Sequence, residues 1–242
     1  MRCIYLSPHL DDAVLSAGGS IYEQTQAGIP VEIWTLMCGY PPLDEVSPFA
    51  QDMHTQWGFS SARETVEKRR VENINAAAVV GAKAVHFDFL DCIYRRGENG
   101  EWLYTKSVFN PPLAAEAGLP AEIAKAIAPR LKPDDVLVSQ LAVGRHVDHV
   151  TVRKAAELLK RPLIYDADIP YLLDHPDELE PKTLGMKAEI RSVSETGLQS
   201  WQEAIGAYTS QVAMLFEGPE RMRARMRVYW SECRGIRFWK FE

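Results

Sequence analysis

The stretch Ile4-Tyr5-Leu6-Ser7-Pro8-His9-Leu10-Asp11-Asp12-Ala13-Val14-Leu15 decides how the chain is read. Residues 2–7 form a short apolar run stopped by Pro8, the pattern of a strand buried on both faces of a parallel sheet. Asp11 and Asp12 suit the positive end of a helix, and the small residues Ser16-Ala17-Gly18-Gly19-Ser20 behind them let that helix lie close on the sheet. Residues 31–37 read as a second strand, and the interval has room for one crossover helix, so the chain opens β-α-β.

The alternation continues. Residues 61–80 have helical spacing, with Ser60 or Ser61 as cap, Glu64 in capping-box position and Gly81 at the end. A strand is expected at 84–89, a helix at 119–131, a strand at 135–139, a helix at 147–160 and a strand at 162–165. Helix-like 199–216 and strand-like 235–241 elaborate the same unit, whereas 39–60 and 91–112 read as long loops. The expectation is one α/β domain over 1–242, Rossmann-like, with a mostly parallel sheet, helices on both faces and ligands at the carboxyl ends of the strands.

Composition narrows the function classes. With 242 residues, 46% hydrophobic and 25% charged, the chain can bury a sizeable core. A net charge of -6 and the lack of a clustered Lys/Arg window argue against a nucleic-acid partner. The arginines at 221, 223, 225 and 227 are flanked by Glu217, Glu220 and Glu232 and read as a solvated helix face, with an anchor for an anionic ligand as the alternative. Cys3, Cys38, Cys92 and Cys233 have no CxxC spacing and read as structural thiols. No leader-like start and no run of about 18 apolar residues is found, so a soluble, cytoplasmic protein without a membrane span is expected. The sequence holds neither a GxSxG elbow nor GxGxxG or Walker patterns, which disfavours acyl-enzyme, dinucleotide and phosphate-loop chemistry.

Two clusters of metal-ligand type follow two different strands: His9 with Asp11 and Asp12, and His146-Val147-Asp148-His149. In a parallel sheet both fall on the carboxyl edge, where they can meet. Imidazole and carboxylate suit Zn²⁺, and three protein ligands leave a position open, as a hydrolytic site requires. His9 and Asp12, three residues apart, can share one ion, and His149 would close the triad. Among the other histidines, His86 reads as a core or edge residue, while His54 and His175 read as exposed loop residues, with His54 the nearer to a substrate.

Ser7-Pro8-His9-Leu10-Asp11-Asp12-Ala13 through Gly18-Gly19, followed by His146-Val147-Asp148-His149, resembles the PIG-L or LmbE-like family of zinc-dependent N-acetylglucosaminyl de-N-acetylases, with its (P/A)HPDD and HxDH signatures. Arg69-Arg70-Val71-Glu72 with Ala76, Ala77 and Gly81 is similar to the family's R-x-x-E helix, Asp91 to its loop aspartate, and Tyr208-Thr209-Ser210-Gln211 to its Tyr-x-Ser-Gln element. The resemblance implies that His9, Asp12 and His149 hold one Zn²⁺, with Fe²⁺ as the alternative metal. It implies Asp11 as general base, His146 as stabiliser of the oxyanion or donor to the leaving amine, and Arg69 and Asp91 as sugar contacts. The substrate would be a small N-acetylated amino sugar or its conjugate, and water activated by the metal would attack the amide.

The pattern is departed from at three places. Leu10 stands where the family has proline, and Ala13 where many members have glutamate. Gly144 stands where some carry a tyrosine that donates to the oxyanion, leaving Arg145 and Tyr171 as candidates to replace it. Trp57, Phe59, Tyr94 and Trp102 are candidates to stack on sugar rings. Asp148 is a candidate to orient a ligand histidine. Two competing readings are a non-catalytic sugar- or nucleotide-binding protein with a structural metal, and a phosphoesterase. The intact Asp11 weighs against the first, and the small ligand count against a two-metal form of the second.

Overall fold

The structure, a computed structural model, describes residues 1–42 and 45–241. Strand β1 (Cys3–Ser7) alternates as its sequence demands: Cys3 and Tyr5 enter one hydrophobic layer, Ile4 and Leu6 the other. Helix α1 (Asp12–Gln26) leads to β2 (Val31–Met37), then α2 (Pro48–Trp57), α3 (Ala62–Val79) and β3 (Lys83–Phe89). Next come α4 (Leu119–Ile127), β4 (Val136–Gln140), α5 (Val147–Leu158) and β5 (Leu163–Asp166). The chain finishes with α6 (Tyr171–Asp174), α7 (Leu179–Thr183), β6 (Met186–Ser192), α8 (Glu195–Gly206), α9 (Thr209–Phe216), α10 (Pro219–Ser231) and β7 (Gly235–Phe241).

The strands form a sheet ordered β3-β2-β1-β4-β5-β7-β6. The first five run parallel, while β7 is antiparallel to both β5 and β6. Helices α1, α3 and α8 cover one face, where Val14, Leu15, Ala76, Ala77, Leu198 and Trp201 join the core. Helices α4 and α5 cover the other through Ile123, Ile127, Val152 and Ala155. The α/β fold with helices on both faces is therefore as expected. Because β1 lies beside both β2 and β4, the loops leaving β1 and β4 diverge from neighbouring strands, and a crevice opens between them.

Close approach of α1 depends on its glycines. The Trp201 ring lies where a side chain at Gly18 would begin, and its Nε1 donates to Val14 O at 2.7 Å.

Several elements differ from expectation. Residues 39–60 are not all loop, since α2 occupies 48–57; Leu43 and Asp44 of that stretch lie outside the described residues. Ser47 Oγ accepts from Ala50 N at 3.0 Å, Pro48 takes the first helical turn, and Gly58 ends the helix at φ +79°. His54 is on α2 and fully buried instead of exposed in a loop; its Nε2 lies 2.7 Å from the Tyr94 hydroxyl. The helix expected at 119–131 gives way after Ile127 to a 3₁₀ turn at Ala128–Arg130, where Pro129 can donate no backbone hydrogen bond. Residues 199–216 break into α8 and α9 at Tyr208, whose backbone (φ −83°, ψ 63°) is not helical. Strand β6 had no expectation attached to it.

Other readings stand. Ser61 caps α3, and Glu64 returns to Ser60 N at 3.0 Å. His86 sits half-buried on edge strand β3, 2.8 Å from Asn73 Oδ1, and His175 is exposed. Cys3, Cys38 and Cys92 are buried, and all four cysteines are free. Among the described residues no helix is long and apolar enough to cross a membrane.

Two stability measurements follow from this packing. Gly18→Val should cost about 1–3 kcal/mol by overpacking against Trp201. Tyr94→Phe should cost about 1–3 kcal/mol by leaving the His54 ring without its hydroxyl partner. Urea unfolding reads both, and an unshifted midpoint in either variant would contradict the contact assigned to it.

Candidate metal centre

The loop after β1 carries His9, Asp11 and Asp12, and the segment between β4 and α5 carries His146, Asp148 and His149; all six are buried at the crevice. Ser7 Oγ accepts from Ala13 N at 3.1 Å and donates to His9 O at 2.6 Å, which sets the turn from strand into α1. The three imidazoles pack together, with centroid distances of 4.7 Å for His9–His146, 5.3 Å for His9–His149 and 5.1 Å for His146–His149.

Asp12 Oδ2 stands 3.2 Å from His9 Nδ1 and 3.4 Å from His149 Nε2. Atoms bonded at about 2.0–2.1 Å around a tetrahedral ion lie roughly 3.3–3.4 Å apart, so this spacing fits one ion between them. The outer nitrogens are occupied: His9 Nε2 is 3.0 Å from Asp148 Oδ2, and His149 Nδ1 is 2.9 Å from Asp168 Oδ1. Each ring therefore turns its other nitrogen toward Asp12, the arrangement expected of metal-ligating histidines backed by carboxylates. His149 Nε2 is buried and makes no hydrogen bond, as a nitrogen reserved for a cation would be. His9, His146 and His149 also bring three ring nitrogens within 4.8 Å of one another. His146 differs from the other two, since its Nδ1 accepts from Asp148 N at 3.2 Å.

Charge is concentrated here. Burial opposes the Asp11 carboxylate and raises its pKa, with Arg69 acting the other way and Asp12 adding to the rise. Burial also opposes Asp12, but His149 and His9 outweigh it and hold the carboxyl well below its usual range. His149 is pushed up to about 9: burial works against its charge, yet Asp12 and Asp168 more than offset it. His146 is held well below the usual imidazole value by burial and by His9 and His149.

Arg69 of α3 reaches Asp11 Oδ1 with Nη2 at 3.4 Å, and its guanidinium lies over the Trp57 ring at 4.8 Å. Asp91 Oδ1 accepts from Ile93 N at 3.1 Å, and its Oδ2 stands 3.8 Å from His9 Nε2. Both line a cavity of about 420 Å³ together with His9, Asp11, Asp12 and His146. Of the four aromatics considered for sugar stacking, Trp57 lines this cavity; Phe59 packs against the cluster that holds Ala50 and Val66, Tyr94 is buried under α2, and Trp102 stacks with Arg96 at 3.6 Å. Tyr171 also lines it, 5.5 Å from the His149 ring, whereas Arg145 extends outward to Glu178 at 3.4 Å.

Sequence reasoning missed Asp168, Arg95 and Glu116. Asp168 follows β5 at φ +47°, and only its place on the same sheet edge could have marked it. Arg95 Nη2 meets Asp148 Oδ1 at 2.6 Å, and Arg95 Nε meets Glu116 Oε1 at 2.5 Å.

The chain matches no curated protein sequence. Among solved structures, the zinc inhibited form of teicoplanin deacetylase Orf2 superposes with a TM-score of 0.84 at 29% identity, covering 99% of this chain and 97% of the other. The A40926 pseudoaglycone deacetylase Dbv21 gives 0.75 at 27%, covering 99% and 96%. The N,N'-diacetylchitobiose deacetylase from Pyrococcus horikoshii gives 0.59 at 14%, covering 99% and 82%, a likeness of fold alone. Residues 4–159 match the PIG-L family of GlcNAc-PI de-N-acetylases, and the chain belongs to that family.

Proposed function

We propose that the protein is a metal-dependent N-deacetylase that removes the acetyl group from a small N-acetylated amino sugar or amino-sugar conjugate. The observation that carries this reading is that Asp12 Oδ2 lies 3.2 Å from His9 Nδ1 and 3.4 Å from the unbonded His149 Nε2, with Asp11 beside them on a cavity wall. Zn²⁺ suits this donor set, with Fe²⁺ the alternative. Likeness to deacetylases of teicoplanin and of the A40926 pseudoaglycone supports a conjugate as substrate. The four free thiols suit the reducing cytoplasm.

A bound divalent ion supplies Lewis acidity, polarising an amide carbonyl and making water acidic enough to be deprotonated near neutral pH. The rest falls to the side chains. Asp11, held by Arg69, is placed to accept the proton of the attacking water. His146 accepts from Asp148 N at Nδ1, so its hydrogen sits on Nε2 and can be donated where negative charge develops on the former carbonyl oxygen or to the departing nitrogen. Arg69 and Asp91 flank the metal centre with a donor and an acceptor for sugar hydroxyls. Asp148 and Asp168 fix the rings of His9 and His149.

Metal analysis and acetate release test this together. Asp12→Ala should lose the ion that wild type carries at about one per chain, and Asp168→Asn should weaken retention against a chelator by roughly 10–100-fold. Asp11→Asn should keep the metal while kcat falls by about 10²-fold or more. Undiminished turnover in Asp11→Asn would remove the base, and a wild type that takes up no Zn²⁺ would overturn the metal centre.

A further inference from the structure

Helices α2 and α9 wall the cavity over the metal centre with Phe49, Met53 and Trp57 from the first and Gln211, Met214 and Leu215 from the second. Gln211 is the one amide among them, and it shares a face of α9 with Met214 and Leu215.

The two polar ends of that amide are told apart by what holds them. Gln211 Nε2 is 2.9 Å from Ser210 Oγ, which lies 2.6 Å from Glu72 Oε2. A carboxylate only accepts, so the single hydroxyl hydrogen of Ser210 goes to Glu72, and the Ser210 oxygen accepts from Gln211. The amide nitrogen is thereby fixed on the Ser210 side and Oε1 is turned the other way. Glu72 is held in turn by Thr209 Oγ1 at 2.7 Å and Ser210 N at 2.8 Å. Gln211 is 3% exposed, and among the described residues nothing donates to its Oε1. That oxygen is not sealed in the interior either, so it opens on the cavity that Gln211 lines.

Depth and chemistry select what it meets. Exposure along the cavity face of α9 rises from 3% at Gln211 to 39% at Met214, so the amide stands at the inner end. Glu72, one helical turn on from Arg69 in α3, anchors it there. The Ser107 and Tyr171 hydroxyls of the same cavity can rotate to donate or accept, and Lys106 only donates. The Gln211 carbonyl only accepts, in one direction and without charge. Departure of the amide nitrogen as an amine calls for donation to it, which an acceptor does not supply, so a ring hydroxyl is the donor left for this carbonyl.

We infer that Gln211 is a specificity-determining contact whose Oε1 accepts a hydrogen bond from a ring hydroxyl of the amino sugar, with Ser210 and Glu72 as its positioning residues. This rests on the deacetylase reading for the sugar and on the Glu72–Ser210–Gln211 chain for the acceptor. A sugar lacking that hydroxyl displaces water from the carbonyl without replacing its hydrogen bond.

The experiment crosses the hydroxyl with the amide. Methyl 2-acetamido-2-deoxyglucoside and its 3-deoxy, 4-deoxy and 6-deoxy counterparts are compared on the zinc-loaded protein, binding being read by calorimetry and turnover by release of free amine. In wild type at least one deoxy analogue should lose about tenfold in affinity and in kcat/KM against the parent. In Gln211→Met, which keeps side-chain length without the carbonyl, one such penalty should shrink to about twofold or less while those of the other analogues stay as in wild type. Ser210→Ala, which frees the amide to turn, should lower the same penalty, and Ser210→Thr, which keeps the hydroxyl, should restore it. The Ser210 pair decides the matter even should Gln211→Met unfold. A wild type that treats all three deoxy analogues like the parent overturns the contact. So does a Gln211→Met protein that loses parent and analogues alike, which would give the amide to the acetamido group or to packing. A penalty abolished in Gln211→Met, with no amine released from any glycoside, would uphold the contact and sink the deacetylase reading. Amine released equally from all four glycosides would do the reverse, and a protein that binds none of them would sink both.

Discussion

Asp148 has no access to water, and much of the site is arranged around keeping its charge there. Burial opposes ionisation of this carboxyl, but the Arg95 guanidinium and the His9 ring hold it ionised. An isolated buried carboxylate would be several kcal/mol unfavourable, so its partners are obligatory. Arg95 reaches it at 2.6 Å, Cys92 N donates at 3.0 Å and His9 Nε2 lies at 3.0 Å. Arg95 is itself buried and pairs with Glu116, whose Oε2 accepts from Tyr104 OH at 2.6 Å. A chain of buried polar contacts thus runs from His9 into the segment after β3, which composition alone marks as surface loop. Asp11, Asp12 and Asp168 add further buried carboxylates, and Arg69 is the one guanidinium among the cavity residues, so a divalent cation bound there would relieve mutual repulsion.

The floor of the site was legible because it uses residue types in short runs at predictable places. His9 and Asp12 follow an apolar strand directly, and His146 and His149 open a helix just after another. Strand order then brings the two together at the β1/β4 divergence. What could not be read are groups acting across long separations. Asp168 supports His149 from beyond β5 without any local pattern, and Arg95 supports Asp148 from 53 positions earlier in the chain. Helix α2 was hidden differently. Its Ser47-Pro48 start and Gly58 stop were present, but Gly39, Pro41 and Pro42 nearby gave the window the composition of a loop. Missing that helix turned His54 into an exposed residue on paper, although its ring is buried against Tyr94.

Helix α3 shows why a pattern first noticed as a resemblance has a physical basis. Arg69, Glu72 and Asn73 occupy positions i, i+3 and i+4 and so face one way. Arg69 meets Asp11; Asn73 Nδ2 donates to Leu10 O at 2.5 Å, fixing the loop in which Asp11 sits. The Glu72 carboxylate accepts from Thr209 Oγ1 at 2.7 Å, Ser210 N at 2.8 Å and Ser210 Oγ at 2.6 Å. A carboxylate there also faces the positive end of α9. One turn of helix therefore positions the residue expected to be the base and the helix that walls the cavity.

Floor and wall are held by different means, and that difference bears on how selectivity can vary. The candidate ligand residues follow core strands, where displacing one would strand a buried charge or an unpaired imidazole. The walls on α2 and α9 are joined to the rest by a cap, a His–Tyr contact, a Trp–Met contact and the Glu72 cluster. Side chains on their cavity face, Phe49, Met53, Met214 and Leu215, take no part in those hydrogen bonds apart from the Met214 sulfur. Exchanging them changes what the wall can contact while leaving the carboxylate–imidazole network intact, so the fold separates the choice of substrate from the machinery that would cleave it.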